Sequence, residues 1–217
     1  MKQKHFVSLL GLLGIIAVGV PSAMAADSFS GLYILGGIGQ KSTNVELNAV
    51  GVGATGSAKT GDTSFFGQLS GGYTFAPGGD FRLGIGAFFD LGDGKAGDGS
   101  ATVGGISGAF SLKETRHYGI SIEPGLAVTK DSLAYAKLMY NWIKGEANAT
   151  GVSTTSENFR AFGYGLGLKH LINANTFLYA EWQKADYDTK SFSDGAGGTF
   201  SLKPRQAVGL FGVGMTF

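Results

Sequence analysis

The sequence predicts an all-β fold, an eight-stranded antiparallel up-and-down transmembrane β-barrel, on three observations. Apolar residues recur at every second position, with almost no 3.6-residue helical period. The alternating segments run for ten or more residues, longer than the usual soluble strand of about 5–6 residues and close to the ~9–11 of a tilted strand that spans a bilayer. Short and long connections alternate along the chain, which places every long connection at one end of the sheet.

Eight segments carry this alternation. In the clearest one, apolar residues from Phe81 to Leu91 alternate with Arg82, Gly84 and Asp90. The eight segments are Gly31–Lys41, Ser64–Phe75, Phe81–Leu91, Thr115–Val128, Leu133–Lys144, Phe159–Leu171, Thr176–Asp186 and Arg205–Phe217. The alternative, an exported soluble β-sandwich, is disfavoured because the apolar faces outnumber what one sandwich core can bury.

The segments are joined in two ways. Tight turns are predicted at residues 76–80, 129–131 and 172–175. Long connections rich in Gly, Ser and Thr are predicted at residues 42–63, 92–114, 145–158 and 187–204. We expect the long connections to be mobile loops on the extracellular side, where a host or environmental surface ligand would bind.

The N-terminal residues are predicted to be a targeting segment and not part of the fold. Two lysines precede the apolar stretch Phe6–Val20, and Ala23 and Ala25 form the Ala-x-Ala pattern of a cleavage site. The stretch is too short for a spanning helix. The sequence therefore predicts a secretory signal peptide over residues 1–25 and one barrel domain over residues 26–217.

Composition excludes several classes of protein. The 38 glycines among 217 residues lack a three-residue period, which excludes collagen, and the absence of cysteine excludes a disulfide scaffold. A net charge of +1 without a basic stripe disfavours nucleic acid as a partner. We predict no catalytic, cofactor-binding or metal-binding residues.

Two groups of side chains are expected to have structural or gating roles. Charged residues on the inward face form a salt-bridge network or, alternatively, a gate for a narrow ion path; they are Arg82, Glu123, Lys137, Lys169 and Glu181. Inward glycines should make room for these and other bulky side chains. Aromatic residues near the short turns are expected to form an interfacial girdle; they are Tyr73, Phe75, Phe81, Phe177 and Tyr179.

The last strand resembles a known assembly signal. Phe211, Val213, Met215 and Phe217 alternate to the final residue, as in the pattern read by the outer-membrane barrel assembly machinery. The whole mature chain resembles the small eight-stranded outer-membrane β-barrels, which include the OmpA transmembrane domain, opacity-type adhesins and porin-like proteins. Further segments that carry this resemblance are Gly31-Leu32-Tyr33, Leu133-Ala134-Tyr135-Ala136-Lys137 and Tyr179-Ala180-Glu181-Trp182.

The resemblance implies a location in the outer membrane of a Gram-negative bacterium, with the lipid bilayer and the assembly machinery as partners. It implies a structural or surface role with at most a narrow gated pore, or alternatively an adhesin or ligand receptor. Some barrels of this size are lipid A deacylases, but Ile172 stands where their His-x-Ser pattern needs the serine after His170. We therefore predict that the protein is not an enzyme.

Overall fold

The computed structural model describes residues 29–51, 54–103, 106–149, 152–193 and 199–217. The regular elements in these ranges are β1 (Gly31–Gly51), β2 (Ala54–Gly78), β3 (Phe81–Leu91), β4 (Gly94–Val103), β5 (Ile106–Thr129), β6 (Ser132–Ala149), β7 (Val152–Leu171), β8 (Thr176–Tyr187), β9 (Lys190–Ser193) and β10 (Thr199–Thr216). This part of the chain contains no helix with the length and apolarity that a membrane crossing needs. The predicted signal peptide, with Ala23 and Ala25, lies outside the described residues.

Eight of the strands close into an antiparallel barrel. The order is β1, β2, β3, β5, β6, β7, β8 and β10, and β10 pairs back onto β1. Following the register once around the barrel from Tyr33 returns to Thr43, ten residues further along β1. Such a stagger makes the strands tilt by about 35–45°. The predicted fold class is confirmed.

The two faces of the barrel wall differ as the alternation predicts. On β3, Arg82 is 5% exposed and Ile85 is 51% exposed, and on β5 Glu123 and Ile122 show the same contrast. Every strand of the barrel contributes exposed apolar side chains to the outer face. Because such a surface is stable only in an apolar solvent, the wall fits a bilayer and not the outside of a soluble sandwich.

In the described residues, most of each long connection is paired strand, so the expectation that these connections are loops was wrong. β1 and β2 stay paired from Lys41 and Ser64 up to Gly51 and Ala54. β5 with β4, β6 with β7 and β10 with β9 extend in the same way. Pairing satisfies the backbone beyond the bilayer, and inward apolar side chains pack together there; they are Val45, Leu47, Ile143, Phe159, Ala161, Ala185, Tyr187 and Leu202. Residues 52–53, 104–105, 150–151 and 194–198 lie outside the described ranges.

We call the end of the barrel with these extensions the hairpin end and the other the turn end. The aromatic girdle predicted at the turn end is correct for Tyr73, Phe75 and Phe81, which face outward. It was wrong for Phe177 and Tyr179, which are 1% and 3% exposed and lie inside the barrel. Strand alternation explains this, because both residues share the parity of Glu181, which is also inside.

The last strand has the outward pattern that the sequence predicts. Phe211 on β10 and Phe217 directly after it are exposed on the outer face, and Val213 and Met215 lie half-buried between them on the same face. Beside it, β1 and β10 pair from Tyr33 with Thr216 to Val50 with Thr199. The residues of the predicted assembly signal therefore line the outside of the barrel seam.

Candidate functional site in the barrel lumen

Side chains fill the lumen, and glycines make the room for them. A Cβ added to Gly86 would collide with the hydroxyl of Tyr33, and one added to Gly167 would collide with the ring of Tyr135. The same is true of Gly119 against the ring of Phe88. The predicted use of inward glycines is therefore seen directly at these three positions, each of which admits an aromatic ring from another strand.

Four of the five predicted lumenal charges meet in one group, which we call the lower cluster: Glu123, Lys137, Lys169 and Glu181. Lys137 Nζ lies 2.9 Å from Glu181 Oε1 and 3.7 Å from Glu123 Oε1. Lys169 Nζ lies 2.9 Å from Glu123 Oε2. These side chains come from β5, β6, β7 and β8, and all are buried, so the cluster links four strands across the lumen.

Polar and aromatic neighbours complete the lower cluster. The Tyr135 hydroxyl donates to Glu181 Oε2 at 2.6 Å, and Ser121 Oγ donates to Glu123 Oε1 at 3.2 Å. Gln183 Nε2 also donates to Glu181. Lys169 Nζ lies 4.6 Å from the centre of the Tyr135 ring, at cation–π distance. Each buried charge thus has both a counter-charge and a further partner, which is the condition for a stable buried ion pair.

Arg82, the fifth predicted charge, is not a member of the lower cluster. It is buried at the turn end of β3, where its guanidinium donates to the carbonyl oxygens of Gly79 and Phe81 at 2.8 and 2.9 Å. The inward direction predicted for Arg82 is correct. At the turn end of the barrel, Arg82 binds the backbone of the tight turn between β2 and β3.

A second charged group, which we call the upper cluster, was not predicted: Lys41, Asp90, Glu114 and His117. Lys41 Nζ lies 2.6 Å from both Asp90 Oδ2 and Glu114 Oε1. His117 Nδ1 lies 2.6 Å from Asp90 Oδ2. The parity that faces Arg82 and Glu123 inward also applies to Asp90 and His117, so a signal for this cluster was present in the alternation.

Neutral side chains surround the upper cluster. Gln68 Nε2 donates to Asp90 Oδ1 at 2.8 Å, and Gln206 Nε2 donates to Glu114. Asn141 Oδ1 lies 3.2 Å from His117 Nε2. A small cavity beside the imidazole ring of His117 is lined in part by Met139, Asn141, Gln183 and Gln206.

The upper cluster also contains a set of possible metal ligands. One donor atom each from Asp90, Glu114 and His117 lies within 4.8 Å of the other two. Two carboxylates and an imidazole suit a divalent cation such as Zn²⁺. The ammonium group of Lys41 lies among these donors and supplies the positive charge that the two carboxylates require.

The family described as outer membrane protein beta-barrel domain matches residues 10–217. The chain belongs to this family. A search of curated protein sequences finds no match. Among solved structures, this outer-membrane barrel is similar to OprG from Pseudomonas aeruginosa, with 14% identity, a TM-score of 0.60, and coverage of 88% of this chain and 98% of OprG.

A second solved structure with the same fold is an enzyme. The outer membrane protease OmpT from Escherichia coli is 9% identical, with a TM-score of 0.53 and coverage of 89% of this chain and 99% of OmpT. At such identities the likeness shows the fold alone. Any chemistry of this outer-membrane barrel has to be argued from its own side chains.

One pair on the outer surface has the composition of a hydrolytic dyad. Ser132 Oγ lies 2.9 Å from His170 Nδ1 at the turn end of β6 and β7. The sequence pattern around His170 pointed to position 172 for the nucleophile, and Ile172 is exposed in the turn there. Among the described residues no carboxylate binds His170, so the ring lacks the third group that orients a catalytic histidine.

Proposed function

We propose that this outer-membrane barrel is a closed structural and surface protein that conducts ions at most through a narrow gated path. The observation that supports the proposal is the filled lumen. The lower cluster bridges β5, β6, β7 and β8, and the upper cluster bridges β1, β3 and β5. An ion path would have to pass both clusters, so a conducting state requires their ion pairs to separate.

Ion flux through the refolded protein in planar bilayers tests the proposal. We expect the wild type to be silent or to open rarely. Lys137→Ala and Glu123→Ala remove charges that bridge the lumen, and we expect more frequent openings if the path is gated there. Lys95→Ala, which changes an exposed residue on β4, is the matched control, and a heat-modifiable gel shift verifies folding of each variant.

The outcomes separate the parts of the proposal. A large and stable wild-type conductance would contradict the closed barrel. Unchanged silence in both cluster variants would contradict the gate and leave the structural role. Openings in Lys95→Ala as often as in Lys137→Ala would show that the charge lost, and not the cluster, is responsible.

Surface binding is the second candidate, and the paired extensions favour it. β1 and β2 continue as a hairpin for ten residues beyond Lys41 and Ser64, which gives a binding surface a fixed backbone. The test joins Glu46 to Lys59 by an Asn-Gly turn, which removes residues 47–58 and keeps the register. Loss of cell attachment with an intact barrel would support a receptor or adhesin, and unchanged attachment would contradict that role for this hairpin.

We infer a non-enzymatic role from the site chemistry. The Ser132–His170 pair lacks a carboxylate partner in the described part of the chain, and the lumenal clusters are engaged in ion pairs. Assays of ester hydrolysis on lipid substrates should give equal background rates for the wild type and Ser132→Ala. A rate that falls in Ser132→Ala would contradict this inference.

A further inference from the structure

Three basic residues lie together on the outer face at the hairpin end: Arg116 on β5, Lys144 on β6 and Arg160 on β7. Arg116 and Lys144 are directly paired across β5 and β6. Arg160 pairs with Trp142, which is two residues before Lys144 on β6. Arg160 and Lys144 are therefore diagonal neighbours on the same face, whose separation is typically about 7–8 Å. Arg116 and Arg160 are exposed and Lys144 is half-buried. We call these three residues the basic patch.

Aromatic rings lie directly beneath the basic patch, on the side toward the turn end. The rings of Tyr118 and Trp142 stack at 5.4 Å with an interplanar angle of 12°. Tyr140 contacts Trp142 at 4.7 Å and Phe162 at 4.9 Å. Amphipathic rings of this kind favour the level of the lipid headgroups. Arg116 and Lys144 lie one residue pair above the stacked rings of Tyr118 and Trp142, and Arg160 lies one pair above Phe162. The basic patch therefore lies at the depth of the headgroup phosphates.

The opposite side of the barrel also carries basic residues near this level, but its own carboxylates neutralise them. Arg205 lies 3.1 Å from Glu46 and 3.3 Å from Asp186. Lys59 lies 3.1 Å from Glu46. The charges of Arg205 and Lys59 are therefore compensated within the protein, by Glu46 and Asp186.

The basic patch lacks this compensation. Lys144 has Glu146 at 3.9 Å, and in the described part of the chain Arg116 and Arg160 form no side-chain ion pair. Asp188 lies near Arg160 but accepts from its backbone nitrogen and pairs with Lys190 at 3.4 Å. Two guanidinium groups and an ammonium group thus face outward with one weak carboxylate contact among them.

We propose that the basic patch binds the phosphate of a membrane lipid headgroup in the leaflet at the hairpin end. Guanidinium groups match phosphate oxygens in a bidentate geometry, and the ammonium group of Lys144 between them adds a point charge. The acyl chains of the same lipid lie along the rings of Tyr118, Trp142 and Phe162. This assignment follows from the barrel's place in a membrane and holds whether or not the lumen conducts.

Fluorescence of Trp142 tests the proposal. The protein carries Trp182→Phe, which leaves Trp142 as its one tryptophan. It is refolded into phosphatidylcholine vesicles with increasing fractions of brominated phosphatidic acid, a phosphate monoester lipid whose chains quench tryptophan. Brominated phosphatidylcholine is the reference lipid. We expect half-maximal quenching by phosphatidic acid at a mole fraction at least about fivefold lower than by phosphatidylcholine.

Two triple variants with equal charge change distinguish a site from general attraction. Arg116→Gln, Lys144→Gln and Arg160→Gln together should abolish the preference for phosphatidic acid. Lys59→Gln, Lys203→Gln and Arg205→Gln on the other side should preserve it. A heat-modifiable gel shift verifies folding, and the exposed single change Arg160→Gln replaces the triple variant if that does not refold.

Two results would overturn the proposal. A wild type without preference would show that no phosphate site is present beside Trp142. Equal loss in both triple variants would show attraction by net charge, without a site. A preference lost from the patch variant alone would support the binding site.

Discussion

The two ion clusters of the lumen differ in how their charges are balanced. The lower cluster has two ammonium groups against two carboxylates, whereas the upper cluster has Lys41 against Asp90 and Glu114. In the upper cluster His117 and the amides of Gln68 and Gln206 supply the remaining contacts. The four charges of the lower cluster therefore balance one another, whereas the upper cluster has two carboxylates for its one lysine. We therefore expect removal of one lysine to change the free energy of unfolding by different amounts in the lower and the upper cluster.

Lys137→Met should have the largest effect on stability. It leaves the carboxylates of Glu123 and Glu181 buried without the ammonium group between them, which costs about 3–5 kcal/mol of unfolding free energy. Urea titration of the protein refolded in vesicles measures this loss. Lys95→Met is the exposed control. A loss below about 1 kcal/mol would contradict the view that ion pairs hold the lower cluster.

Lys41→Met should cost less and should create a metal site. Gln68, Gln206 and His117 still contact the two carboxylates, so we expect a loss of about 2–3 kcal/mol. Without the lysine, donor atoms of Asp90, Glu114 and His117 still lie within 4.8 Å of one another, and no ammonium group among them would repel a divalent cation. Zn²⁺ should therefore raise the melting temperature of Lys41→Met but not of the wild type.

Two controls sharpen the zinc prediction. Lys41→Met with His117→Ala lacks one ligand and should lose the response to zinc. Lys137→Met, in the lower cluster, lacks a histidine and should not respond. An equal zinc response in the double variant would contradict binding at this set of ligands.

Gly167→Ala tests how tightly the side chains around the lower cluster are packed. The added methyl collides with the ring of Tyr135, whose hydroxyl donates to Glu181, so we expect a loss of about 1–3 kcal/mol. Gly209→Ala is the matched control, because a Cβ there meets no atom within 4 Å. Equal stability of the two variants would show that the lumen adapts to extra volume.

The smallest expected change in the free energy of unfolding comes from removing the hydroxyl groups of two tyrosines in the lumen. The hydroxyl of Tyr179 is buried and has no hydrogen-bond partner among the residues that the structure describes, whereas that of Tyr135 donates to Glu181. Tyr179→Phe should leave the free energy of unfolding unchanged or raise it, and Tyr135→Phe should lower it by about 1–2 kcal/mol. The same urea titration measures both, and a greater loss in Tyr179→Phe would contradict this assignment.

Much of the fold could be predicted because a strand has a period of two. The parity along β3 and β5 gave the inward direction of Arg82 and Glu123, and the turns gave the order of the strands. The same parity predicts that Phe177 and Tyr179 face inward with Glu181. Their position near a turn indicated a girdle instead, and that prediction was wrong.

The grouping of charges could not be predicted from one strand at a time. Lys41 and Asp90 meet across β2 because the tilt of the strands brings residues four positions apart in the pairing register to one level of the lumen. Glu114 lies in a stretch whose composition predicts a loop, so the strand alternation used for the lumenal residues did not extend to it. The extended hairpins were missed for the same reason, although Val45 and Leu47 alternate with polar residues there.

The closing seam has a consequence for how the chain reaches this state. Its first strand pairs with its last, from Tyr33 with Thr216 to Val50 with Thr199. Until β10 has been synthesised, β1 presents an unpaired edge of eighteen residues, and open edges recruit other chains. A pairing between the two ends of the sequence also forms slowly, because a long loop must close first. The time between synthesis and closure is therefore when the edge of β1 is most exposed to pairing with other chains.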